Sequence, residues 1–230
     1  MRLSHLVLGV ILMVATALGP ANAQNAASGS VYRISYFEAA APEVAATAKL
    51  VREFAAARRA APGNLGFVGF QEVGRPSRFA LFEAWRDKAA AEAHDAAAGT
   101  TAFRGKLAPM LVGPLEIRSF GGFALAAPGA AGGPRAVFVL THVDVFPAGK
   151  DQAAALVSAL AEAGRKMLGN LRFDVLQVDG HANHFTLVEG WRGRRAFEAS
   201  LMAAPTKDFR QKLTPLEGAL YDERLYRQLG

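Results

Sequence analysis

The sequence predicts an α+β protein: two tandem ferredoxin-like β-α-β-β-α-β domains packed as a pseudo-dimeric α/β barrel. Three observations lead there. The chain repeats itself at a fixed offset of 106 residues from Val31 to Gly230 without a gap, and about 30 of the 94 paired positions are identical. A period that long is one small domain rather than a solenoid unit. Within each copy the elements follow the order β-α-β-β-α-β, which builds an antiparallel sheet with helices on one face only. The other face stays bare, and an exposed apolar patch of several hundred Å² favours association at roughly 25 cal/mol per Å². Joining two copies lets those faces close on each other.

In the first copy, Val31 to Glu38 alternates as a strand does, and Glu43 to Ala60 places Val44, Leu50, Val51, Phe54 and Ala55 at helical spacing. Ala61-Pro62-Gly63 ends that helix, because proline cannot continue it and glycine tolerates the turn. Leu65 to Val73 and Arg78 to Trp85 follow as strands around the turn Gly74-Arg75-Pro76-Ser77. Two alanine-rich stretches, Lys88 to Ala98 and Thr101 to Leu111, read as short helices, and Leu115 to Phe120 as a last strand. The second copy repeats this order from Val137 to Leu229. Domain one thus spans 31–120 and domain two 137–229. The stretch 121–135, dominated by Ala, Gly and Pro, is the linker.

Residues 1–23 have the pattern of a secretory signal peptide: Met1-Arg2, an apolar run from Leu6 to Leu18, and the small-x-small site Ala21-Asn22-Ala23. That run is shorter than the roughly 20 residues a spanning helix needs, and no later stretch approaches it. The expectation is export to the periplasm or the exterior, with no membrane span. The chain has no cysteine, which excludes disulfides, thiolate metal sites, iron–sulfur clusters and cysteine nucleophiles. The net charge of +6 is scattered, without a basic run or a basic-aromatic stripe, so nucleic acid is not an expected partner.

Alternation puts Phe79, Leu81, Glu83 and Trp85 on one side of their strand, and Phe185, Leu187, Glu189 and Trp191 match them identically. A carboxylate in an apolar row needs a partner, and Arg118 and Arg224 on the last strands are the candidates. A structural ion pair and a catalytic base both fit. Each tryptophan can stack an aromatic ligand and donate its indole N–H. Asn64 and Asn170 follow glycine at a helix-to-strand turn, as backbone caps or as ligand contacts. His142 stands on the first strand of copy two where copy one has Tyr36, placed to enter a pocket or to pair with Asp144. His181 and His184 flank a hairpin turn with no third ligand nearby, so no metal site is expected.

On these residues the chain resembles the antibiotic biosynthesis monooxygenase domains of the dimeric α/β-barrel superfamily, over both copies. The resemblance rests on the Pro62-Gly63-Asn64 turn, Glu83-Ala84-Trp85, Glu92-Ala93-His94, and Phe103 with the Lys106-Leu107-Ala108-Pro109 that follows. The family's second histidine falls on Gly99 and Pro205, and its first falls on Ser200 in copy two. What the resemblance implies is oxidation of a quinol-like or polyphenolic aromatic by dioxygen, with no metal or flavin cofactor. A dry pocket that stabilises the deprotonated substrate would let it reduce oxygen directly. The catalytic candidates are then His94 as acid or base and Trp85, Asn64 and Tyr36 as donors. The binding candidates are Trp191, Asn170, His142, Glu83 and Glu189.

Copy one would be the more competent half. The partners expected are the aromatic small molecule and dioxygen; the two halves form an intramolecular pseudo-dimer, with a further homodimer left open. The competing reading is a non-catalytic module that binds haem or another hydrophobic ligand, in keeping with the loss of both histidines from copy two.

Overall fold

The computed structural model describes residues 29–126 and 132–230; the signal peptide expected over 1–23 lies outside the described residues, as does the middle of the linker. Half one runs β1 (Val31–Glu38), α1 (Val44–Arg58), β2 (Asn64–Glu72), β3 (Arg78–Trp85), α2 (Lys88–Ala96), α3 (Ala98–Leu107) and β4 (Glu116–Ala124). Half two repeats it as β5 (Val137–Asp144), α4 (Lys150–Arg165), β6 (Asn170–Val178), β7 (His184–Trp191), α5 (Arg194–Met202), α6 (Ala204–Leu213) and β8 (Asp222–Leu229). The turn that ends the first helix of each half needs glycine: Gly63 and Gly169 have φ of 75° and 86°, in the left-handed region where a Cβ is strained.

The eight strands close into one antiparallel barrel in the order β1-β3-β2-β8-β5-β7-β6-β4, with β4 returning to β1. Each half therefore supplies a four-stranded sheet, and the sheets are stitched at both edges, β2 to β8 and β4 to β6. Among the described residues no sheet edge is left to recruit another chain. This closure explains one departure from the predicted boundaries. Gly121 to Ala124, expected as the start of the linker, continue β4 and pair with β6 of the other half, because ladder bonds across the junction outweigh the poor strand propensity of two glycines.

Three apolar clusters follow from the alternation of the strands. The barrel interior is filled from both halves, by Ile34, Phe82 and Phe120 of half one against Phe138, Leu140 and Val188 of half two. The outer face of each sheet packs under its own helices, around Trp85 with Phe54, Phe67 and Phe103 in half one, and around Trp191 with Leu160, Phe173 and Phe209 in half two. The bare faces thus cover each other, as the repeat predicts. No helix among the described residues is long and apolar enough to cross a membrane.

Candidate active site between sheet and helices

In half one, Asp87 caps α2 by accepting the Ala90 N–H at 2.7 Å. That start fixes the helix phase, so Ala90, Ala91 and His94 fall on its buried face. His94 is only 5% exposed. Its ring lies along Trp85, with ring centres 4.5 Å apart, beside Phe54 and Phe67. Trp85 Nε1 donates to Glu83 Oε2 at 3.0 Å, and His94 Nε2 stands 3.6 Å from the same oxygen. His94 Nδ1 lies 3.4 Å from Thr100 Oγ1.

The His94 pKa lies down at about 4, chiefly through burial, with Asp95 opposing and Arg58, Arg104 and Arg33 adding to the shift. The imidazole is therefore neutral at neutral pH. Burial raises the Glu83 carboxyl above the usual range, while the Trp85 hydrogen bond works the other way. Arg33 and Arg104 both reach Asp95, each at 2.6 Å. Burial would raise that carboxyl too, but the two guanidinium bonds win and hold it low. Three arginines thus stand with two carboxyl groups, Asp95 and Glu83, around a neutral ring.

In half two the same frame holds different chemistry. Trp191 Nε1 donates to Glu189 Oε2 at 2.9 Å. Ser200 stands where His94 does and turns away to donate to the Phe197 carbonyl at 2.6 Å. A void of about 10 Å³ remains, walled by Glu189, Trp191, Ser200, Thr206, Tyr221 and Glu223, space for no more than about one water. Burial drives the Glu189 pKa up to about 8, with Glu223 adding to the shift. This void holds two carboxyl groups, Glu189 and the Arg210-paired Glu223, and among the described residues no imidazole beside them.

The structure divides the residues predicted from sequence between two faces of the sheet. Glu83, Trp85 and His94 meet on the helix side. Arg118 and Arg224, expected to partner Glu83 and Glu189, do not: with a period of two they fall on the barrel side, where they pair with Glu116 and Asp222 at 2.6 Å. Tyr36 lies there too, cut off from His94 by the sheet, with the guanidiniums of Arg118 and Arg224 within 5.7 Å of its ring centre. Its ring meets that of His142 edge-on at 5.5 Å. His142 bonds Thr186 Oγ1 at 3.0 Å, and Asp144 faces His184 instead, at 3.7 Å.

Asn64 and Asn170 donate to the carbonyls of Gly66 and Arg172, capping the bulge at the start of β2 and β6. His181 and His184 lie 5.1 Å apart; among the described residues no three His, Cys, Asp or Glu side chains gather to hold a metal. Sequence reasoning missed Arg33, Arg58, Asp95, Thr100 and Arg104. One signal was available: Thr100 with Thr206 and Arg104 with Arg210 are among the identities at the 106-residue offset.

A closed barrel made of two fused halves, with a buried carboxyl–indole–imidazole set under the helices of one half, defines a fused dimeric α/β-barrel protein. The family model of antibiotic biosynthesis monooxygenase matches residues 30–106 and 136–212, more than half of the chain, and the chain belongs to that family as two tandem copies. A "putative monooxygenase" from Fusobacterium nucleatum has the same fold with a TM-score of 0.81 at 14% identity, over 88% of this chain and 93% of its own. One from Lactobacillus acidophilus gives 0.74 at 12%, over 88% and 95%. An "anthrone oxidase-like protein" gives 0.66 at 16%, over 89% and 93%. At such identities the likeness speaks for the fold. No curated protein matches the chain.

Proposed function

We propose that this chain is an exported monooxygenase that oxidises a quinol-like or polyphenolic aromatic with dioxygen, and that half one carries the reaction. The observation that supports it is the neutral, buried His94, set between Trp85 and Glu83 and ringed by Arg33, Arg58 and Arg104. Cations around a dry site favour an aromatic anion over the neutral phenol. The phenolic proton passes to His94 Nε2, and the imidazolium so formed stands beside the Glu83 carboxyl. The electron-rich anion then passes one electron to dioxygen. The resulting superoxide and aryloxyl radical join through a new C–O bond, and cleavage of the O–O bond releases water. The balance is phenol plus O₂ to quinone plus H₂O, with no external reductant.

Oxygen uptake with a panel of hydroquinones and anthrones tests this reading: uptake that falls on His94→Ala supports it, and no uptake with any of them discards it. Export rests on the leader pattern of Met1 to Ala23 and is checked by cell fractionation and the N-terminal sequence of the recovered protein.

The apolar cleft of half one, lined by Leu107, Leu111 and Leu115 and not by His94, favours a second reading. In it the module has no turnover and holds haem or another hydrophobic ligand. A Soret band on haem addition together with absent oxygen uptake would select it.

A further inference from the structure

Subtracting 106 aligns the surroundings of the two tryptophan–glutamate pairs residue by residue. Tyr221 in half two answers to Leu115 in half one, Glu223 to Ile117, Leu201 to Asp95, Val139 to Arg33, and Arg210 to Arg104. In half two the Tyr221 ring walls the small void beside Glu189. The Arg210 guanidinium lies over that ring at 4.7 Å and pairs with Glu223 at 2.7 Å. That space is filled, and its charges cancel.

Half one differs on both counts. With leucine in place of tyrosine, a cleft of about 320 Å³ opens, lined by Arg104 and by Leu107, Ala108, Leu111, Pro114 and Leu115. Leu107, Leu111 and Leu115 also pack into the cluster that holds Trp85, so the cleft adjoins the packing around that indole. The volume lies at the lower end of pockets that hold small organic ligands, about 300–1,000 Å³. Arg33 and Arg104 share the carboxylate of Asp95, and Arg104 is the charged side chain at the edge of this apolar surface.

We propose that half one alone takes a ligand here, and that the ligand is an aromatic ring system carrying one anionic group, with its rings on Leu107, Leu111 and Leu115 and its anion at Arg104. This deepens the oxygenase reading by adding a negative charge to its substrate class, and it rests on that reading only for the chemistry after binding.

The test is a titration of the full chain with 1-anilinonaphthalene-8-sulfonate, its stoichiometry read by calorimetry. One molecule per chain is expected. Leu115→Tyr, which copies the plug of half two, lowers the affinity at least tenfold. Arg104→Gln lowers it about tenfold for the sulfonate and leaves binding of the uncharged N-phenyl-1-naphthylamine unchanged. Tyr221→Leu admits a second molecule of the uncharged probe. If Leu115→Tyr does not fold, the Arg104→Gln comparison decides.

Binding that survives both substitutions, or two equal sites in the unaltered chain, overturns the proposal. Probe binding as described without oxygen uptake would sink the oxygenase reading alone. Oxygen uptake by a chain whose binding ignores both substitutions would sink this one alone.

Discussion

The imidazole of His94 lies on the indole of Trp85, ring centres 4.5 Å apart, and Glu83 touches both. If the proposed reaction runs there, His94→Ala lowers the rate of oxygen uptake by about 10²–10⁴, the usual worth of a positioned acid or base. Ser200→Ala, at the matching place in half two, leaves it unchanged. An oxygen electrode and one active hydroquinone are enough to compare the two.

Burial holds both His94 and His142 near a pKa of about 4, below the ordinary 6.5. The sign follows from proton counting: between those values the unfolded chain binds protons that the folded one refuses, so stability falls as pH drops. The loss starts below about pH 6.5 and is complete near the folded value, on the order of 3 kcal/mol for each ring. Urea unfolding at pH 7.5 and 4.5 should show a smaller difference between the two pH values for His142→Gln than for the unaltered chain. An equal difference would mean that His142 titrates normally.

Glu189 behaves in the opposite sense. Its pKa of about 8 lies above the unfolded carboxylate value, so its stabilising contribution is complete below about pH 4.5 and is lost as pH rises through 8. Glu189→Gln keeps an acceptor for Trp191 and removes the titration. The variant should match the unaltered chain near pH 5 and exceed it by on the order of 4 kcal/mol at pH 8, measured as Tm across that range.

Helix α4 sits close on β6 because Gly164 has no side chain: a Cβ there would fall 2.2 Å from the Phe173 ring. Gly164→Ala gains about 1 kcal/mol of helix propensity but forces a ring out of a filled core, about 1–3 kcal/mol. The net effect is destabilising. Gly105→Ala in α3 meets nothing within 4 Å and should stabilise by up to about 1 kcal/mol. Denaturant midpoints of the two variants, moving in opposite directions, check the packing.

The repeat and the period-two rows made the fold legible. Val31–Glu38 and Arg78–Trp85 lie where alternation puts them, and the bare sheet faces could only be satisfied by each other. The site was legible in part. Glu83 and Trp85 share a row, and the helix phase from Asp87 carries His94 to them.

What failed were the partners. Arg118 is a near neighbour of Glu83 in the sheet but projects to the opposite face, whereas Arg33, directly across from Glu83 in the ladder, reaches Asp95 on the helix side. Tyr36 was misplaced for the same reason, since side chains of one strand serve two separate cores. Tyr221 and Leu115 carried no signal, because whether a side chain walls a void or lines a cleft is decided by packing between elements far apart in the chain.

Tyr36 and His142 are the same position in the two copies, and they touch. An assembly of two identical chains would set each residue at such a point against its own image, tyrosine on tyrosine or histidine on histidine. Covalent joining removed that constraint and allowed unlike side chains to meet on the approximate dyad. The same freedom sets Ser200 and Tyr221 in one half where the other has His94 and Leu115, an inequality that a symmetric pair of identical chains forbids.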